Sequence, residues 1–136
     1  MKKFYLLLLL FTGCSKDFLK PYDDRIEGGT WSLYDVKSVG IGSGYNLPLT
    51  TGKFQFFGSG DLEYVDADGN VYQGSWDIRK RNTGEEVLRQ LHVTMVDFNT
   101  QRVISETFDD MQFTGTDKFK AFIYTAGRTY TFKFKR

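Results

Sequence analysis

Lys118-Phe119-Lys120-Ala121-Phe122-Ile123-Tyr124-Thr125-Ala126-Gly127-Arg128-Thr129-Tyr130-Thr131-Phe132-Lys133-Phe134-Lys135 is the stretch whose reading decides the fold. Side chains alternate with period two on both sides of an Ala-Gly pair, the pattern of two antiparallel strands joined by a tight turn. With Ala126 and Gly127 at the turn, Ile123 faces Tyr130, Ala121 faces Phe132 and Phe119 faces Phe134. All six are apolar and share one side. The other side carries Lys118, Lys120, Phe122, Tyr124, Thr129, Thr131, Lys133 and Lys135, most of which water accepts. Lys120 opposite Lys133 sets like charges together, so an acid from a neighbouring strand is expected there, with Glu106, Asp109 and Asp110 as candidates.

The same alternation recurs upstream, punctuated by Gly, Asn and Asp. It predicts strands over residues 30–39, 51–57, 61–66, 71–79, 86–98, 102–108, 111–113, 117–125 and 128–135, eight or nine in all. Their inward faces carry Phe54 and Phe56, Leu62 and Tyr64, Trp76 and Ile78, then Leu91, Val93 and Met95. A chain of 136 residues with 17% aromatic side chains is one domain at most and buries a core. One Cys and one His exclude a disulfide framework, a Cys-based zinc cluster and a multi-histidine metal site. The expected fold class is therefore all-β, an antiparallel up-and-down β-barrel.

The N-terminus reads as a targeting segment. Lys2 and Lys3 precede an uncharged run from Phe4 to Phe11 with five consecutive leucines, too short for the roughly 20 residues of a membrane-spanning helix. Thr12, Gly13 and Cys14 follow, and small residues before a lone Cys resemble the lipobox of bacterial lipoproteins, in which the Cys is lipidated and becomes the new N-terminus. Phe11 stands where a Leu is usual. Residues 1–13 are thus expected to be a lipoprotein signal peptide, and Cys14 the lipidation site. Residues 14–28 are expected to be a polar, Pro21-containing tether, and 29–136 the barrel. Loss of Lys2 and Lys3 leaves 16 basic against 17 acidic residues, a balance that offers no long-range attraction to nucleic acid. Ser15 beside the anchor suits the outer membrane in similar lipoproteins, and Lys16 with Asp17 partly matches their surface-export signals. The expected location is the bacterial cell envelope, lipid-anchored, in the periplasmic or the surface leaflet.

Gly29-Thr30-Trp31 resembles the Gly-x-Trp motif that opens lipocalins, and Gly74-Ser75-Trp76 repeats it midway, as in the lipocalin-like lipoproteins of Bacteroidetes. The resemblance covers residues 28–136. It implies that Trp31, behind Gly29, packs across the closed end of the barrel under a basic residue from near the last strand, for which Arg136 and Arg128 are the candidates. The helix that follows the barrel in lipocalins has no counterpart after Arg136.

A barrel of eight strands either is just filled by side chains or holds one small molecule. Phe54, Phe56, Tyr64, Trp76, Met95 and Phe132 are accordingly either packed core or the wall of an apolar pocket. The loop from Gly40 to Pro48, with exposed-prone Ile41, Tyr45 and Leu47, lies where a lipocalin has its lid. The expected function is to bind a small, largely apolar ligand. The alternative is a non-catalytic interaction module that docks an envelope protein through its rim and wet face. No cofactor and no metal are implied. A transmembrane barrel is disfavoured by the lysine-bearing faces, since a lipid-facing Lys costs about 2–4 kcal/mol near the midplane.

Other motifs resolve to structure. Gly40-x-Gly-x-Gly44 lacks the following helix that a dinucleotide site needs. Asp66 to Asn70 reads as a hairpin turn, since a calcium loop would need Gly where Val71 stands and Glu where Asp77 stands. His92 lies in a strand between Leu91 and Val93, with nothing to orient it as a base, and Glu85-Glu86 and Asp109-Asp110 are adjacent residues read as solvated turn charges. The chain is not expected to be an enzyme.

Overall fold

The computed structural model describes residues 20–42, 44 and 46–136. The expected signal peptide, Cys14 and Tyr45 lie outside the described residues. A short helix, α1 (Tyr22–Ile26), precedes nine strands: β1 (Trp31–Gly40), β2 (Gly52–Phe56), β3 (Asp61–Val65), β4 (Val71–Asn82), β5 (Val87–Asp97), β6 (Arg102–Phe108), β7 (Asp110–Gly115), β8 (Lys118–Tyr124) and β9 (Arg128–Lys135). All nine belong to one antiparallel sheet in the order β6-β5-β4-β3-β2-β1-β9-β8-β7. Consecutive strands pair with one another except β6 and β7, and β1 also pairs with β9.

The last hairpin has the register that its alternation predicts, with Ile123 opposite Tyr130, Ala121 opposite Phe132 and Phe119 opposite Phe134, and all six are buried. Its wet face differs in one respect. Lys133 finds its acid on the first strand, at 3.8 Å from Asp35, and not in Glu106, Asp109 or Asp110. The partner comes from the β1–β9 pairing, whose register shifts between Leu33 and Asp35.

The sheet's two edge strands are consecutive in the chain. Because strand directions alternate along the nine positions, β6 and β7 run the same way, separated by Asp109 alone. The Asp109 amide donates to Phe122 O of β8 at 2.8 Å, and the Arg89 amide of β5 donates to the Asp110 carboxylate at 3.0 Å. Asp109-Asp110 is therefore not a solvated pair: Asp110 is buried and holds two strands, while Asp109 accepts from the Tyr124 amide at 2.7 Å.

The tether expectation also changes. Ile26 is 0% exposed and its carbonyl accepts from the Trp31 indole at 2.7 Å, so the folded part begins before Gly29. Five residues are too few to show helical periodicity in sequence, and packing fixes the helix in place of propensity.

The core is a single cluster on the inner face. Phe134 stacks on Phe119 with ring centroids 4.4 Å apart and meets Phe54 at 5.5 Å and Phe108 at 6.4 Å; Phe108 meets Phe132 at 4.9 Å. These rings come from β9, β8, β2 and β6. Phe132→Ala, which empties the middle of this cluster, should lower unfolding stability by roughly 3–5 kcal/mol. Phe122→Ala on the opposite face should cost no more than about 1 kcal/mol, both read from urea unfolding midpoints.

Candidate functional site

Of the residues expected to line a ligand pocket, Phe54, Phe56, Tyr64, Trp76, Met95 and Phe132 are brought together, all buried in the one core. Four of them form a chain of ring contacts. Phe54 lies 5.9 Å from Phe56 and 4.6 Å from Tyr64, and Phe56 meets Trp76 edge-on at 5.6 Å. Polar atoms of these side chains are spent on the backbone: the Tyr64 hydroxyl donates to Thr51 O at 2.6 Å and the Trp76 indole to Phe57 O at 2.9 Å. Burial, with the nearby Asp66 carboxylate, pushes the Tyr64 phenol up to about 12.

The loop expected to act as a lid does not join this group as a unit. Ile41 is 89% exposed, whereas Leu47 is half-buried against the core and Leu49 is fully inside it. Gly52 lets the loop return so closely: its φ is +123° and a Cβ there would lie 2.3 Å from the Tyr64 ring. Leu49, outside the expected set, thus covers the end of the sheet at which β1 ends.

The opposite end is covered by the N-terminal segment. The Arg136 guanidinium lies 4.3 Å above the Trp31 ring. It donates to Glu27 O and Gly28 O at 3.0 Å and to Thr116 O at 2.7 Å. Arg128 sits at the other end, bonded to Ser38 Oγ and Gly42 O. Tyr22 of α1 packs edge-on against Phe113 of β7 at 5.0 Å, and Arg25 lies 4.2 Å over the same ring.

Beside α1 opens a surface cleft of about 750 Å³. It exists because β4 outruns its neighbour: pairing with β3 ends at Ser75 opposite Asp61, while pairing with β5 continues to Asn82 opposite Val87. On this overhang Ile78, Lys80 and Arg89 occupy inner-face positions, and Pro21 and Tyr22 form the facing wall. Lys20 and Asp23 complete the charged lining. Lys80 and Arg89 are direct cross-strand partners. Arg89 lies 5.1 Å over the Tyr22 ring, and its buried Nη1 has no hydrogen-bond partner among the described residues. Sequence reading missed this cleft because its residues come from three separate segments, one of them taken for tether. The one legible signal was Lys80 standing where Trp76 and Ile78 continue the inward row.

Three other titratable side chains make local contacts. His92 is half-buried on the outer face and shares a hydrogen bond with Thr107 at 3.1 Å. Asp66 accepts from the Asp68 and Asn70 amides and the Asn70 side chain, which hold its carboxyl below the usual range and confirm the hairpin turn. Glu106 occupies an inner-face position on β6, opposite Val93, and burial raises its carboxyl.

Arg136→Ala removes the stack and the carbonyl bonds together, so it should lower stability by roughly 2–3 kcal/mol in urea unfolding, with Arg136→Lys recovering less than half. The raised Tyr64 phenol favours the folded state while it stays protonated. Its contribution is complete below pH 10 and should fall as pH rises from 10 to about 12; Tyr64→Phe should flatten that alkaline loss in stability-versus-pH measurements. No known protein family, no curated protein and no solved structure matches the chain.

Proposed function

We propose that this chain is a lipid-anchored lipoprotein of the bacterial cell envelope, in the outer membrane, whose lipocalin-like barrel is filled and serves as a non-catalytic docking module for another envelope protein. In this reading β6 and β7 are one strand bent at Asp109, paired first with β5 and then with β8, which closes an eight-stranded up-and-down barrel. The bonds from Asp109 to Phe122 and from Arg89 to Asp110 support that closure. Arg136 over Trp31, behind Gly29, supports the lipocalin resemblance.

The observation that carries the filled-barrel reading is the mutual ring contact of Phe54, Phe56, Phe108, Phe119, Phe132 and Phe134 between two covered ends. Eight strands enclose little more than their own side chains, and an apolar ligand among these rings would have to part them. The interior is then stability, and recognition moves outside. An apolar row on the outer face supports this: Val65 pairs with Val71, Val96 pairs with Val103, and Phe98 follows in the next turn. Phe98, Val103 and Val71 are exposed. Alternating turns of the meander put Phe98 at the end opposite α1, so a chain anchored through Cys14 holds this row away from its membrane.

Native mass spectrometry of the mature chain should give the mass of the acylated polypeptide alone, with no stoichiometric uptake of palmitate. A photo-crosslinking residue at position 98 in living cells should capture one protein of discrete size, while the same residue at Lys37 should not. A bound apolar molecule in the purified chain would turn the reading to ligand binding.

A further inference from the structure

We infer that the cleft between α1 and the overhanging β4–β5 hairpin is a binding site for the phosphate of an anionic lipid headgroup in the membrane that carries the protein. The inference rests on the lipid-anchor reading for its choice of lipid over free anion; the cleft's chemistry is independent of it.

The charge arrangement asks for an anion. Lys80 and Arg89 stand opposite one another on one face, and like charges directly opposite destabilise a strand pair unless a counter-charge lies between them. Neither side chain has an ion pair among the described residues. Lys20 and Asp23 complete the charged lining. A buried guanidinium donor without a partner is costly, and Arg89 Nη1 is one. The two cations divide the work. The planar guanidinium, held over Tyr22, suits two oxygens of one phosphate, and Lys80 supplies an adjustable point charge.

The remaining surface asks for something joined to that anion. Pro21, Tyr22 and Ile78 give the cleft an apolar wall, which a free inorganic ion does not use but the methylene groups of a glycerolipid do. Position decides the source. Lys20 lies six residues after Cys14, so an extended chain separates the cleft lining from the acyl anchor by at most about 20 Å. Headgroup phosphates of the anchoring leaflet are therefore within reach of the cleft. Binding there would fix the orientation of the domain, with the β4–β5 overhang seated on the leaflet.

The full chain in nonionic detergent, titrated calorimetrically with dihexanoyl phosphatidylglycerol, should bind it at least tenfold more tightly than dihexanoyl phosphatidylcholine or inorganic phosphate. Lys80→Glu, exposed and outside the core, should weaken binding tenfold or more at an unchanged unfolding midpoint, as should Arg89→Gln; Lys120→Glu on the far face should leave affinity unaltered. Equal affinity in wild type and Lys80→Glu, or equal affinity for the two lipids, overturns the site. Inorganic phosphate matching phosphatidylglycerol overturns the lipid assignment. Cys14→Ser separates the two readings: it should move the protein out of the membrane fraction if the anchor is real, and it leaves the affinity for short-chain lipid to the cleft alone.

Discussion

The ring of Phe134 touches Phe119, Phe54 and Phe108, which belong to strands that stand far apart in the order of the sheet. β6 is at one edge and β9 is seventh in the order, six strands away, so a flat sheet could not bring Phe108 to Phe134. The sheet has to roll until its inner aromatics meet. Once they do, much else follows: the inward face is dry, the outward face takes the lysines, and the two edges are brought to the single residue that joins them. Aromatic rings suit this role because each buries a large area and makes directional edge and stacked contacts.

A rolled sheet still leaves two ends, and these are covered by different means. At one, Leu49 dips from the long loop into the core. At the other, Arg136 bonds the carbonyls of Glu27, Gly28 and Thr116 while lying on Trp31. That residue performs two tasks with one group. The guanidinium satisfies carbonyls that no strand can pair, and its flat face covers an indole that would otherwise meet water. The segment from Tyr22 to Gly28 is thereby part of the fold.

Inner-face positions are apolar where the sheet is paired on both sides, and they turn cationic where β4 overhangs β3. Lys80 and Arg89 continue the row of Trp76, Ile78, Leu91 and Val93 with the wrong chemistry for a core. Departures of this kind from an otherwise consistent pattern are where function is sought, since stability alone does not ask for them. The buried interior, by contrast, is aromatic and aliphatic apart from Asp97 and Asp110.

The strand positions and the register of the last hairpin were legible because each depends on neighbours a few residues away, and period two reports inward or outward without knowledge of the partner. The overhang of β4 to Asn82, beyond the expected end at residue 79, was not legible, since Arg and Lys there look like any solvated strand end. The expectation of a leader ending at Cys14 rests on the sequence alone, being read from local chemistry that needs no fold. Tertiary structure alone decided that Asp35 answers Lys133, that Arg136 and not Arg128 lies on Trp31, that Ile26 is core, and that Lys20, Lys80 and Arg89 line one cleft. The physical reason is the same in each case: these contacts join residues dozens of positions apart, and their energy appears only after the sheet has rolled and the first strand has met the last.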